Sequence, residues 1–93
     1  MQENKEYKLI MFQKSTTSGK KYDALILDTK TKKIKKVSFG ALGYEQYRDS
    51  TGLNIYSHLD HNDTKRRANY RKRHASNINV KWSPGWFSGK YLW

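Results

Sequence analysis

No apolar run in this chain is longer than a short β-strand. The longest are Leu9–Phe12 and Ala24–Leu27, whereas a buried helix needs apolar positions that recur over about 10 residues or more. Both runs belong to segments rich in branched and aromatic residues, YKLIMF at 7–12 and YDALIL at 22–27, and this composition is typical of strands. We therefore predict that the fold begins with two short strands.

The sequence around these two runs predicts a third strand and the turns that join them. The segment QKSTTSGKK between the first two runs is rich in Ser, Thr and Gly, which indicates a hairpin loop. In the third run, residues 33–39, Val37 and Phe39 share one face. Residues 28–31 begin with Asp, a residue that often starts turns. These features predict a three-stranded antiparallel meander over residues 6–39.

The third run is also rich in lysine, and its lysines have two interpretations. Charged side chains on an edge strand discourage pairing with other chains. Alternatively, Lys33, Lys35 and Lys36 form a basic stripe that contacts phosphates.

Residues 40–59 form a connector that is rich in Gly and Tyr. Tyr44 and Tyr47 are three residues apart and would share one face of a helical turn. This spacing is compatible with a short helix after Gly43.

A basic helix is predicted over residues 60–76, because no Gly or Pro interrupts this stretch and polar residues at its start can cap it. The candidate caps are Asp60, Asn62, Asp63 and Thr64. The apolar face is thin, so most of the helix is expected to face solvent or a ligand. Its candidate phosphate contacts are Lys65, Arg66, Arg67, Arg71, Lys72 and Arg73.

Residues 77–93 form an aromatic segment that holds all three tryptophans of the chain. Its large aromatic residues are Trp82, Trp86, Phe87, Tyr91 and Trp93. In one interpretation they fold back onto the sheet and complete a core that three short strands cannot supply. In the other they form an exposed patch that docks on a partner.

Composition and charge restrict the class of protein. Aromatic residues make up 14% of the chain, which indicates a folded domain and not a disordered basic tail. The formal net charge is +11 on 93 residues, and such a field attracts polyanions. A solvated surface that keeps a small protein soluble is the alternative explanation.

The sequence argues against cysteine-based sites, a membrane span and secretion. The chain has no cysteine, which excludes disulfides, thiolate zinc sites and cysteine nucleophiles. No apolar run approaches the roughly 20 residues of a membrane span, and MQENKEYK does not resemble a signal peptide. We expect an intracellular or particle-borne protein that is not secreted.

Catalysis is not predicted either. The candidates for a metal site or an acid–base site are His58, Asp60, His61, Asp63 and His74. Helical rise of about 1.5 Å per residue would place His61 and His74 nearly 20 Å apart, too far for one metal. No nucleophile elbow or phosphate-binding Gly loop is present. We therefore predict no enzyme activity, no metal and no cofactor, with Asp63 serving as a helix cap together with His61.

Three motifs together resemble a family of small, functionally uncharacterised proteins that large nucleocytoplasmic DNA viruses encode, the chlorovirus and mimivirus relatives. The first motif is FGAxGYxxY, at Phe39, Gly40, Ala41, Gly43, Tyr44 and Tyr47. The second is HxDx6Yx2RH, at His61, Asp63, Tyr70, Arg73 and His74. The third is the aromatic close GWFSGKYLW, in which either the residue between Leu and Trp of the family pattern is absent or the pattern itself reads GWFSxx[YW]LW.

The motifs cover residues 39–93, and the strand region before them is similar as well. The stretch STGLNIYSHL before His61 is longer than is usual in the family. The resemblance implies a viral origin and a role late in infection or in the particle, located in the virion or inside the infected cell. It implies no mechanism.

The sequence thus predicts a single α+β domain over residues 1–93, with a non-enzymatic binding function. Nucleic acid, DNA or RNA, is the first candidate partner, bound through its backbone with little sequence specificity. Six phosphate contacts on duplex DNA would give a slope of log affinity against log salt of about −5. The alternative is a minor virion or capsid protein that docks on a viral structural partner through its aromatic segment.

Overall fold

The computed structural model describes residues 6–93, which form a small α+β domain. A three-stranded antiparallel sheet is followed by three helices, so the predicted fold class is confirmed. The elements are β1 (Tyr7–Lys14), β2 (Lys20–Asp28), β3 (Ile34–Ala41), a 3₁₀ turn (Ser57–Leu59), α1 (Thr64–Arg73), α2 (Ala75–Ile78) and α3 (Pro84–Tyr91).

The sheet is the predicted meander, with strand order β1-β2-β3. Ala24 at its centre pairs with Phe12 of β1 and with Val37 of β3. The turn between β2 and β3 is held by Asp28, whose side chain accepts hydrogen bonds from the amides of Lys30 (2.9 Å) and Thr31 (3.2 Å). Asp was predicted to start this turn, and the backbone amides explain why.

The core lies between one face of the sheet and α3. The sheet residues buried there are Tyr22, Ala24, Ile26, Val37 and Phe39. Phe87 of α3 is fully buried and stacks on Phe39 with ring centroids 5.5 Å apart. Without α3 this face would stay exposed, because three short strands cannot enclose their own apolar side chains.

The helix α3 was not predicted, and two glycines explain why. Ser83 caps the helix by accepting a hydrogen bond from the Trp86 amide (3.2 Å), and Pro84 opens its first turn. These are ordinary start signals, but Gly85 and Gly89 lower the intrinsic helix propensity of so short a segment. In the folded protein a Cβ on Gly89 would lie 2.8 Å from the side chain of Ile78, so glycine permits the close contact of α2 with α3.

The predicted basic helix is shorter than expected. It begins at Thr64 and ends at Arg73, and His74 leaves the helical conformation with φ −107° and ψ 18°. A separate single turn, α2, then leads toward α3. The sequence shows no breaker at His74, so the end of α1 is set by packing.

Residues 44–56 of the connector form no helix, so the helix suggested by the tyrosine spacing is absent, and the 3₁₀ turn Ser57–Leu59 comes only later. Buried polar side chains hold the connector in an irregular path instead. The Gln46 amide group donates to Asp60 Oδ1 (2.6 Å) and to the Tyr56 carbonyl (2.8 Å). These bonds join residues 10 and 14 positions apart, so tertiary contacts and not a local helical turn fix the path of the connector.

The connector is also bonded to β2. The Tyr22 hydroxyl donates to Asp49 and accepts from the amides of Ile55 (3.0 Å) and Tyr56 (3.3 Å). Burial, followed by the bond to Asp49, raises the pKa of Tyr22 to about 12. The neighbouring Lys21 ammonium is buried and donates to the connector as well.

Candidate nucleic-acid interface

The start of α1 is held by a carboxylate cap. Asp63 accepts hydrogen bonds from the amides of Lys65 (2.9 Å) and Arg66 (3.2 Å). These backbone bonds, that of Arg66 first, lower the pKa of the Asp63 carboxyl. The Asp63 amide donates in turn to His61 Nδ1 (2.9 Å), which is the predicted capping arrangement. The first turn, which carries two of the candidate phosphate contacts, is thereby fixed.

One side of α1 is bonded to α3 and to the residues that follow it, and we call it the inward side. Arg67 Nε donates to the main-chain oxygen of Trp93 (2.6 Å), and its guanidinium lies 5.1 Å from the centre of the Tyr47 ring. Arg71 Nη1 donates to the Gly89 carbonyl (2.8 Å). Two of the six predicted phosphate contacts therefore attach the helix to the protein, since one donor of each guanidinium is directed at a main-chain oxygen.

A row of four aromatic rings supports the same side of the helix. Trp93 stacks on Tyr70 with ring centroids 4.2 Å apart and an interplanar angle of 6°. At the two ends of the row, the ring centroid of His61 lies 5.1 Å from that of Trp93, and the ring centroid of His74 lies 4.3 Å from that of Tyr70. Burial raises the pKa of Tyr70. Although few of its residues are apolar, α1 is thus held by arginine hydrogen bonds and ring stacking.

The opposite side of α1, which we call the outward side, faces solvent. At 3.6 residues per turn its members share one face of the helix. They are Lys65, Arg66, Asn69, Lys72 and Arg73, all exposed. Within residues 6–93 the one ion pair joins Arg66 to Glu45 at 3.5 Å, with both side chains about half-exposed. A pair of this kind contributes little, so the outward side keeps a strong positive charge.

The lysines of β3 are not part of this surface. Lys36 Nζ donates to the Thr16 hydroxyl (2.8 Å), and Lys35 Nζ lies 5.9 Å from the centre of the Tyr7 ring. Lys33 immediately precedes β3 and Lys35 and Lys36 lie in its first residues, whereas α1 approaches the last residue of β3, Ala41. At a rise of about 3.3 Å per residue, the strand places Lys35 about 20 Å from Ala41.

The aromatic segment packs against the core. Phe87 is fully buried, and the other four residues, Trp82, Trp86, Tyr91 and Trp93, are partly buried against the core cluster. The ring centroids of Trp82 and Trp86 lie 5.2 Å apart, and those of Tyr91 and Phe12 lie 4.7 Å apart. All five aromatic residues therefore contribute to the packing of the core.

Two residues of the site were not identified from the sequence. In the sequence, Lys21 follows Lys20 and looks like an ordinary surface lysine. In the structure its ammonium is buried and donates hydrogen bonds to Gln46 and to the Tyr44 carbonyl. Burial lowers the pKa of Lys21. Glu45 is the acidic partner of Arg66, and only the folded connector brings it there. Neither residue carried a sequence signal.

Within residues 6–93, no cluster of three His, Cys, Asp or Glu side chains is arranged to bind a metal ion. None of the helices in the same range has the length and apolar character that crossing a bilayer requires.

Comparison of the chain with protein-family models, with curated proteins and with solved structures finds no match.

Proposed function

We propose that this protein binds nucleic acid through the phosphate backbone, with the outward side of α1 as its contact surface. The observation that carries this proposal is the division of one basic helix into an attached side and a free side. Lys65, Arg66, Lys72 and Arg73 project from a helix whose position is fixed by Asp63 and by the inward side.

A fixed helix suits this function because the charges are held in place before binding, which reduces the ordering cost of association. Phosphate contacts orient a protein on its ligand but carry no sequence information. The proposal therefore includes little sequence specificity and no catalytic step.

The structure changes the expected number of contacts. Since Arg67 and Arg71 are bonded to main-chain oxygens, four basic residues remain on the outward side. Four phosphates on duplex DNA give an expected slope of log affinity against log salt of about −3.6, in place of the slope near −5 expected for six.

The test is a titration of a labelled duplex by fluorescence anisotropy over a salt series that begins at about 50 mM. Binding with a slope near −3.6 supports the proposal. A slope near zero, or no binding at the lowest salt concentration, contradicts it.

The setting of this function is also part of the proposal. The motif resemblance supports a viral protein that acts on a viral genome or transcript, in the particle or inside the infected cell. The alternative, docking on a virion protein through the aromatic segment, has less support, because Phe87 is fully buried and its aromatic neighbours pack against the core.

A further inference from the structure

A cavity of about 380 Å³ lies beside the outward side of α1. It is enclosed by α1, the end of α3, the end of β3 and the connector. Its aromatic lining residues are Tyr44, Tyr70 and Trp93, and its basic ones include Arg66 and Arg73. This volume is within the range of small-ligand sites.

The cavity continues into a second concave surface along the helix. Arg66, Arg73 and Trp93 line both, and Lys72 and Asn69 complete the second one. Glu45 is the one acidic residue of the two linings, and it is paired with Arg66. The two together form a groove that is positively charged along its length and aromatic at one end.

Tyr44 is held in the groove in an unusual way. Its carbonyl accepts a hydrogen bond from the buried Lys21 ammonium, and its amide donates to the Ala41 carbonyl (3.4 Å). The residue is nevertheless 71% exposed. The main chain is thus fixed while the aromatic side chain faces solvent, in a lining that also contains Arg66 and Arg73.

We infer that the groove binds single-stranded nucleic acid, with one unpaired base stacked on Tyr44 and the adjoining phosphates on Arg66, Arg73 and Lys72. This inference rests on the proposed function and adds the class of nucleic acid to it. In a duplex the faces of the bases are covered by their neighbours in the stack. Duplex binding would therefore use the basic residues alone, whereas a single strand also gains the aromatic contact.

The experiment compares oligo-dT, oligo-U and a duplex, each about 12 nucleotides long, with the intact protein and its Tyr44→Ala variant. Loss of one stacked base lowers affinity by about 5- to 150-fold. We expect this loss for the two single strands and less than about a twofold change for the duplex. The oligo-dT and oligo-U arms show whether DNA or RNA is preferred.

Two further variants separate stacking from folding. Tyr44→Phe keeps the ring and is expected to keep the affinity, whereas Tyr44→Leu keeps bulk without a planar ring and is expected to lose it. Leu42→Ala is the matched control, because Leu42 is 48% exposed on the same connector and does not line the cavity. Circular dichroism on every variant shows whether the fold is intact.

Failure of the inference is distinct from failure of the proposed function. Equal losses for single strands and duplex in Tyr44→Ala, or full affinity in the folded Tyr44→Leu variant, overturn the single-strand inference and leave backbone binding standing. Absence of salt-dependent binding to all three probes overturns both.

Discussion

Arg67 and Arg71 lie on the inward side of α1, and Arg66 and Arg73 lie on its outward side, within one helix of 10 residues. The inward pair donates hydrogen bonds to the main-chain oxygens of Trp93 and Gly89. The outward pair faces solvent and lines the groove. The same type of side chain therefore either attaches the helix or stays in solvent, according to which side of the helix it occupies, because only the inward side meets main-chain acceptors.

The largest expected effect is on binding. Replacing Lys65, Arg66, Lys72 and Arg73 together with Ala should lower affinity for nucleic acid by about 100-fold or more at low salt, with a loss of about 3 to 4 in the salt slope. The slope of log affinity against log salt should thus become less negative by about 3 to 4. Anisotropy titrations over a salt series measure the affinity and this slope. The free energy of unfolding should change by less than about 2 kcal/mol in total, since exposed substitutions usually alter stability by less than about 0.5 kcal/mol each. Unchanged affinity would show that the outward side is not the contact surface.

The inward side should show the reverse behaviour. Arg71→Ala removes a charged donor from the Gly89 carbonyl, which should cost about 1–3 kcal/mol in the free energy of unfolding. Chemical denaturation measures this cost. Arg71→Lys is the control for charge, because a lysine lacks the planar guanidinium that reaches the carbonyl. If Arg71→Ala kept full stability and lost affinity, the two sides would not differ as described.

The lysines of β3 provide a smaller test of the same comparison. Replacing Lys33, Lys35 and Lys36 with Ala removes three charges, at a distance from α1. Affinity should fall by less than about tenfold, through the weaker long-range field. A loss as large as that of the four-residue α1 variant would place the contact surface on β3.

The smallest effect concerns pH and the first turn of α1. Hydrogen bonds lower the pKa of Asp63 in the folded protein, so its cap is fully present above the unfolded value of about 3.9. The cap is lost as pH falls through the lower folded pKa. The amide NMR signals of Lys65 and Arg66 should shift in that acidic range, and that of Arg71 should not. Asp63→Asn caps without titrating and should abolish the shift.

Much of the sheet could be predicted from local sequence. Val37 and Phe39 alternate with polar residues and are buried, as their spacing indicates. The end of α1 at His74 could not be predicted, because no Gly or Pro marks it. The helix α3 was missed because the need for a small residue at Gly89 arises from contact with Ile78, a residue of another helix.

The sequence predicted which charged residues belong to the candidate site but not how they are arranged in space. The basic residues between Lys65 and Arg73 are evident in the sequence, and so are four polar residues able to cap the helix. The structure selects Asp63 as the cap. It also brings Tyr44, Arg66 and Trp93 into one groove from three separate parts of the chain.

The sequence by itself determined the three strands, the presence of a basic helix and the excess of positive charge. These depend on local periodicity and on composition, which neighbouring residues already contain. Only the tertiary structure decided which arginines attach the helix and which remain free. The acceptors at Gly89 and Trp93 lie well beyond α1 in the chain, and α1 reaches them only in the folded protein, where α3 packs on the sheet.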